Sequence, residues 1–386
     1  MTIRRALGAG LILAATAASA AIRPAGLDAG VAARFARHPA ALEQQSAGIS
    51  PRYSDAEFWQ LVGQLSEPDG YFDSDNLVSN EDDFQAVVPE LAAKVRPGGV
   101  YLGVGPDQNF TYILAARAKA AFITDVRRGN LHVHLLYKAL FELSADRADF
   151  LGRLFARRRP AALGPGASAA ELLQAYRRLA PDPALQKETV RAVAEQLAGG
   201  GRFPIGAEDL SAIAAVHAKY VAGGPDLRFV SSRGGNWYPT FMDLQVATDR
   251  RGVEHGYLAS EALYARLRAL ERANLIVPVV GDLGGPTALR AVGRHLRARG
   301  ETVTVFYASN VERYLFRDGL WDEFAGNLAT LPIDGSSTII RSCFDSCSSA
   351  GDSRAVTLLD SIKDLVAAVE AGRVRSYWDV LSRSRR

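Results

Sequence analysis

A glycine turn between a short strand and a helix is the feature that most restricts how this 386-residue chain folds. Val100-Tyr101-Leu102 is a β-prone run, and Gly103-Val104-Gly105-Pro106 follows it directly. The residues from Asn109 to Ala120 then have the pattern of a helix. Glycines at such a turn let a ligand approach the backbone closely, and the helix amino terminus offers it unpaired N–H groups. The pattern predicts a ligand site at the end of this strand.

Asp125 follows a second predicted strand, Ala121-Phe122-Ile123-Thr124, and lies 20 residues beyond Gly105 (125 − 105 = 20). An acid at about this spacing accepts hydrogen bonds from a ribose in nucleotide-binding βαβ units. The alternative is a plain α/β protein, in which Gly103 and Gly105 only tighten the turn and Asp125 caps the next helix. Both interpretations predict a parallel βαβ unit.

A second pair of strands is predicted much later in the chain. Residues 275–280 form a continuous apolar run, as in a strand buried on both faces, and Asp282 follows it within a glycine-rich turn. A helix is predicted over 286–299, and a further strand over 302–307 leads to Asn310. Each of these strands therefore also ends in polar residues.

The four predicted strands indicate the fold class. Ligands of open parallel sheets bind beyond the carboxyl ends of the strands. We therefore expect Gly103, Asp125, Asp282 and Asn310 to lie along one crevice, although they are distant in sequence. The predicted fold is α/β, with a doubly wound, mostly parallel, Rossmann-like sheet and a helical insertion.

The same segments resemble the class I S-adenosylmethionine-dependent methyltransferases. YLGVGPDQ is similar to that family's glycine motif, ITD to its ribose-binding acid, VVGD to its adenine-side acid, and VFYASNVERYL to its fourth-strand motif. The resemblance covers residues 100–128 and 275–316. The sequence departs from the family at Tyr101, where an acid is common, and it has no Pro-Pro-Tyr motif after the fourth strand.

The resemblance implies S-adenosylmethionine as the cofactor. Gly103 and Gly105 would border its methionine part, Asp125 would hold the ribose hydroxyls, and Asp282 would approach the adenine amine. Asn310 would face the site of methyl transfer.

Methyl transfer also requires groups that position the acceptor and take its proton. Asn310 is the leading candidate for the first role and Glu312 for the second. The alternative is that Asn310 only caps the helix that follows, a position where asparagine is favoured. The methyl acceptor is not indicated by the sequence.

The amino terminus has the pattern of an export signal. Arg4 and Arg5 precede a short apolar run, and Ala18-Ser19-Ala20 supplies the small residues that a signal peptidase accepts. Cleavage after Ala20 would place the protein in the periplasm or outside the cell; the alternative is a cytoplasmic protein with an uncleaved start. The predicted segments are a signal peptide at 1–20, an Ala-rich leader at 21–52, α/β parts at 53–145 and 226–386, and a helical insertion at 146–225.

Export creates a second functional hypothesis, because S-adenosylmethionine is a cytoplasmic metabolite. The chain would then be a noncatalytic, exported protein that binds a nucleotide or another small molecule on a methyltransferase-like fold. Both hypotheses predict a small-molecule ligand as the partner.

Net charge, residue spacing and hydropathy argue against several other kinds of protein and site. The formal net charge is only +3, so a nucleic-acid partner is not expected. No metal site is predicted, since His132 and His134 are two residues apart and lie on different faces of a helix. Cys343 and Cys347 are either a disulfide that closes a small loop or two free thiols. No segment after the signal is long and apolar enough to span a membrane.

Overall fold

A six-stranded, mostly parallel sheet forms the centre of the computed structural model, which describes residues 52–161, 163–230, 238–344, 347 and 355–384. The strand order is β3-β2-β1-β4-β5-β6. Only β6 runs antiparallel to its neighbour. The fold is α/β and is consistent with a Rossmann-like fold. The strands are β1 Val100–Val104, β2 Ala120–Asp125, β3 Ile276–Val280, β4 Val303–Ser309, β5 Ile333–Phe344 and β6 Ala355–Ser361.

Helices connect these strands and cover the sheet. The first part of the described chain contains α1 Asp55–Leu65, α2 Val88–Lys94, α3 Gln108–Ala115, α4 Arg128–Leu143, α5 Arg147–Leu154, α6 Ala169–Arg177, α7 Pro183–Ala198 and α8 Ala207–Gly223. The second part contains α9 Phe241–Gln245, α10 Glu261–Arg272, α11 Ala288–Ala298, α12 Val311–Asp318, α13 Trp321–Ala329, α14 Ile362–Glu370 and α15 Tyr377–Arg383.

Helix α1 covers the edge of the sheet at β3. Ser54 and Glu57 form the capping box that starts it, and they stand in the sequence as the Ser-x-x-Glu pattern typical of such a box. Beyond its last turn, the Val280 N–H donates to Ser66 Oγ at 2.9 Å, and the Glu67 N–H donates to the Val280 carbonyl at 2.7 Å. These bonds protect an edge strand that also contains Pro278, a residue confined to such strands because it lacks an N–H donor.

Helix α3 ends earlier than the sequence predicts. It stops at Ala115, and Arg117 has a left-handed φ of 48°. The chain then enters β2 at Ala120, which was expected to be the last residue of the helix. A residue at positive φ cannot continue a right-handed helix, so this turn sets the start of the strand.

Helices α5 to α8 occupy the predicted insertion. Three of them, α5, α7 and α8, pack against α4, the long helix that follows β2. His217 of α8 is buried there and bonds through Nε2 to the Arg153 carbonyl at 2.9 Å. Its position is that of a packed core histidine.

The amino-terminal predictions lie outside the described residues: the signal peptide at 1–20 and, except for Arg52, the leader at 21–52. Among the described residues, no helix is long and apolar enough to cross a membrane. Cys343, in β5, and Cys347 are joined by a disulfide.

Candidate functional site

A cavity of about 210 Å³ lies at the carboxyl ends of four neighbouring strands. By the same measure one water molecule needs roughly 15 Å³, so the cavity has room for an organic ligand. Its walls come from the turns after the strands and from the polar loop between α1 and α2. The lining residues at the strand ends are Val104, Gly105 and Pro106 at the end of β1, Thr124, Asp125 and Val126 at the end of β2, Gly281, Asp282 and Leu283 after β3, and Tyr307, Ser309 and Asn310 at the end of β4.

Four of the six predicted site residues line this cavity: Gly105, Asp125, Asp282 and Asn310. Gly103 is not among the lining residues, because it lies within β1 behind the turn. Glu312 is not among them either, since it lies in α12 and is 1% exposed.

The glycine turn is held by Asn109 from the first turn of α3. Its Nδ2 donates to the carbonyls of Val104 at 2.8 Å and Pro106 at 2.6 Å, while its Oδ1 accepts from the Tyr101 hydroxyl at 2.8 Å. A Cβ at Gly103 would lie 1.9 Å from that Oδ1 atom. Gly103 therefore provides room for the bonds that shape the turn.

Gly105 has a φ of +76°, a conformation that favours glycine. Its carbonyl accepts a hydrogen bond from His134 Nε2 at 2.9 Å. Burial lowers the pKa of His134 to about 4, so the ring is neutral at pH 7 with its proton on Nε2. The neutral His134 ring thus stabilises the glycine turn through this hydrogen bond without adding a positive charge.

Asp107 places a carboxylate beside the amino terminus of α3. Its Oδ2 atom accepts hydrogen bonds from the Tyr257 hydroxyl and from Gln245 Nε2, both at 2.9 Å. Burial raises the pKa of Asp107 to about 6, so the group is mostly ionised at pH 7. This negative charge opposes anion binding at the helix terminus.

Asp125 is stabilised by its own turn. Its Oδ1 accepts from the Arg127 N–H at 2.9 Å, and its Oδ2 lies 3.3 Å from the Arg127 guanidinium. Burial raises the pKa of Asp125, and the Arg127 charge opposes that effect. A carboxylate has about four lone-pair positions, so Asp125 retains capacity to accept bonds from ligand hydroxyls.

Asp282 is positioned by Glu67 from the loop after α1. The Glu67 carboxylate accepts from the N–H groups of Asp282 at 3.0 Å, Thr287 at 2.7 Å and Ala288 at 2.8 Å. The Asp282 Oδ1 atom accepts from the Gly284 N–H at 2.9 Å. Glu67 therefore occupies the amino terminus of α11 and holds the Asp282 turn against the cavity.

Glu81 is a cavity residue that the sequence patterns do not identify. It belongs to the polar segment YFDSDNLVSNEDDFQ, whose only signal is its richness in Asp, Ser and Asn ahead of the glycine turn. The Tyr307 hydroxyl donates to its Oε1 at 2.8 Å, and the Ser309 hydroxyl donates to the same atom. Gln108 Nε2 donates to its Oε2 at 2.8 Å.

The end of β4 has a strained backbone. Ser309 has a φ of +53°, although a side chain disfavours that region. Such strain is concentrated at functional sites. The turn directs Asn310 to the cavity, and Asn310 precedes α12 without forming a side-chain capping bond. The capping alternative therefore lacks its hydrogen bond.

Aromatic rings form another part of the wall. Phe72 and Tyr314 meet edge to face with ring centroids 5.5 Å apart. Phe229 and Tyr71 also line the cavity, and Tyr71 is 86% exposed to solvent. The site thus combines flat apolar surfaces with carboxylates.

Among the residues that the structure describes, the charged side chains of the lining are mainly acidic. The carboxylates include Glu81, Asp125 and Asp282. The other two charged residues of the lining, Arg317 and Asp318, form an ion pair with each other, with Arg317 Nε 2.6 Å from Asp318 Oδ1. Within the described part of the chain, no group of three His, Cys, Asp or Glu side chains has the arrangement of a metal site. The chemistry of the lining therefore favours a neutral or positively charged organic ligand.

Comparison with known proteins gives a family but no activity. No curated protein sequence matches the chain. The family DUF7790, a domain of unknown function, matches residues 76–172 and 238–378. These two ranges contain the polar loop from residue 76 onward, the glycine turn and the ends of all four strands that form the cavity. Because the match covers more than half of its length, the chain belongs to the DUF7790 family.

Proposed function

We propose that the chain is an S-adenosylmethionine-dependent methyltransferase-like protein on a doubly wound sheet. One observation carries the proposal: Gly105, Asp125, Asp282 and Asn310 lie at the carboxyl ends of four adjacent strands and line a single cavity. These are positions at which the resemblance places the cofactor and the transfer site. The cofactor, when bound, supplies an electrophilic methyl group.

The residues fit the proposed cofactor by their hydrogen-bonding capacity. Asp125 accepts bonds from the ribose hydroxyls, because two of its lone-pair positions remain after the contacts with Arg127. Asp282 accepts from the adenine amine, and the Gly105 turn borders the methionine part. Asn310 orients the acceptor at the end of β4.

A nicotinamide dinucleotide is the main competitor for a Rossmann-like sheet, and the charges disfavour it. A dinucleotide carries an anionic pyrophosphate that binds at the helix after the first strand. Here Asp107 is buried at that helix terminus, and Glu81 lies in the adjacent wall. S-adenosylmethionine has no phosphate and carries a positive sulfonium.

The decisive experiment is calorimetric titration of the purified protein with S-adenosylmethionine and S-adenosylhomocysteine, supported by native mass spectrometry for a co-purifying nucleoside. We expect saturable binding of both compounds. NADH is the control ligand and should not bind. Binding of NADH, with no heat from either adenosyl compound, would reject the cofactor assignment.

The Cys343–Cys347 disulfide favours a second candidate function, a noncatalytic exported binding protein. Disulfides persist in oxidising compartments and are rare in the cytosol. This candidate agrees with the signal-like start, and it predicts a mature chain that begins at Ala21 outside the cytoplasm. Amino-terminal sequencing of the fractionated protein tests it: an intact Met1 chain in the cytoplasm contradicts export and favours the enzyme.

A further inference from the structure

Glu81 brings a buried negative charge to the wall of the cavity. Glu81 is only 1% exposed to solvent, yet it lines the cavity at the end of β4. Its three hydrogen-bond donors, the hydroxyls of Tyr307 and Ser309 and the amide of Gln108, are all neutral. They orient the carboxylate without cancelling its charge.

No lysine or arginine in the described part of the chain forms an ion pair with Glu81. The described cationic residue of the cavity lining, Arg317, is paired with the adjacent Asp318. A buried charge that lacks an opposite charge costs several kcal/mol, and folded proteins normally pair it. A charge that is kept without an opposite charge in a cavity wall indicates that the bound ligand supplies the opposite charge.

The other walls fit the same type of ligand. Tyr307, Phe72 and Tyr314 present aromatic surfaces in the cavity, and the faces of such rings attract cations. Two further carboxylates line the cavity, Asp282 and Asp125, of which Asp125 is paired with Arg127. Acidic groups in a cleft raise the local concentration of cations. Aromatic rings beside a carboxylate are a common means of binding an organic cation.

We propose that Glu81 is the counter-ion for a positively charged organic group in this cavity, a sulfonium or a quaternary ammonium. Glu81 is then a specificity residue, which distinguishes a cation from a neutral molecule of the same shape. The inference rests on the proposed function for the location of the site. It goes further because it assigns the recognition of the ligand's positive charge to one side chain. It applies to a binding protein as well as to an enzyme.

Two matched ligand pairs test the inference on the full-length protein by calorimetry. S-adenosylmethionine and S-adenosylhomocysteine differ in the sulfonium charge, and choline and 3,3-dimethylbutan-1-ol differ in the ammonium charge. We expect wild-type protein to bind the charged member of at least one pair ten or more times more tightly. The pair that shows the preference identifies the source of the charge.

Three variants assign the preference to Glu81. Glu81→Gln keeps the side-chain shape without the charge and should reduce the preference to less than threefold. Glu81→Asp keeps the charge and should retain part of the preference. Glu323→Gln, the same change at an exposed position outside the cavity, should leave it unaltered.

Thermal melting without ligand separates this role from a structural one. Because Glu81→Gln removes a charge that lacks an opposite partner, its melting temperature should equal or exceed that of wild type. A large fall would show that Glu81 is also required for folding, and the wild-type comparison of the two ligand pairs would then decide the proposal by itself.

The outcomes distinguish this inference from the proposed function. Equal affinities within both pairs, or no binding of any of the four compounds, overturn the role of Glu81. If the two adenosyl compounds bind equally and saturably and choline is not preferred either, the role of Glu81 is overturned while the cofactor assignment stays intact. A preference for choline alone, with no adenosyl binding, would support Glu81 and reject the cofactor.

Discussion

Glu312 Oε2 accepts a hydrogen bond from Arg341 Nε at 2.6 Å, and neither side chain is exposed to solvent. Arg341 also lies 3.3 Å from Asp360, so the ion pairs connect α12 with β5 and β6. This geometry gives the Glu312 carboxylate a partner inside the protein. It supports a structural role for Glu312, although the sequence suggested a catalytic base.

Replacing Glu312 with glutamine should therefore affect stability. The change leaves the buried Arg341 charge paired only with Asp360, and we expect the free energy of unfolding to fall by about 3 kcal/mol, as for other broken buried pairs. Urea denaturation measures this loss. The control is Glu370→Gln, an exposed position that should change stability little. Unchanged stability together with lost turnover would restore the assignment of Glu312 as a base.

Asn310→Ala should leave the melting temperature nearly unchanged, because Asn310 makes no side-chain capping bond to α12. Loss of a formed cap would cost about 1 kcal/mol. Ligand or acceptor binding should weaken, since the side chain lines the cavity. Melting and titration on one preparation decide between the two roles, and a destabilised variant with normal binding would leave Asn310 as a cap.

The two glycines of the turn should differ in how they tolerate alanine. At Gly103 the new Cβ meets Asn109 Oδ1 at 1.9 Å and the Tyr101 ring at 2.7 Å, so we expect a loss of about 3 kcal/mol. At Gly105 the nearest atom is 3.5 Å away, and only the positive φ costs energy, about 1 to 2 kcal/mol. Thermal unfolding of both variants compares the losses; an equal or larger loss at Gly105 would contradict this explanation of the turn.

Asp125→Ala should weaken S-adenosylmethionine binding by about 1.5 to 3 kcal/mol, the range for hydrogen bonds to a charged group. Calorimetric titration measures the loss. Arg127→Ala is an informative control, because it removes the guanidinium that contacts the carboxylate but leaves the Arg127 N–H bond to Asp125. If wild type binds the ligand and Asp125→Ala binds it equally well, Asp125 has no contact with the ribose.

Asp107 makes stability depend on pH. Burial raises its pKa from 3.8 to about 6 in the folded state, so the folded protein holds this proton more tightly than the unfolded chain. The contribution of Asp107 to stability is therefore lost as the pH rises from about 4 to about 6, by about 3 kcal/mol in total. Asp107→Asn should gain stability relative to wild type across this range, measured by urea denaturation at each pH.

His134 supplies the opposite control. Its folded pKa of about 4 lies below the ordinary value of 6.5, so the unfolded chain binds the proton more tightly. Its contribution to stability rises as the pH increases from about 4 to 6.5, and His134→Gln should lose stability relative to wild type over that range. Profiles that stay parallel to wild type in both variants would contradict the two assignments.

Local sequence patterns predict much of the strand arrangement around the cavity. The apolar runs before Asp125 and Asp282 correspond to β2 and β3, and the Ser-x-x-Glu pattern at Ser54 and Glu57 marks the start of α1. These features depend on neighbouring residues, whose periodicity and capping can be recognised directly in the sequence. The polar ends of parallel strands share an edge by topology, so several candidate residues could be named before the structure.

Periodicity alone does not predict β5 and β6, nor the functions of Glu81 and Glu312. Glu81 meets Tyr307 across 226 sequence positions, and Glu312 is paired by Arg341 from a different strand. The sequence alone determined the strand, turn and helix patterns, because hydrophobic periodicity, capping and turn preferences act between near neighbours. The tertiary structure decided which carboxylate faces the cavity and which is buried in an ion pair, because burial and charge pairing depend on residues that are brought together only by folding.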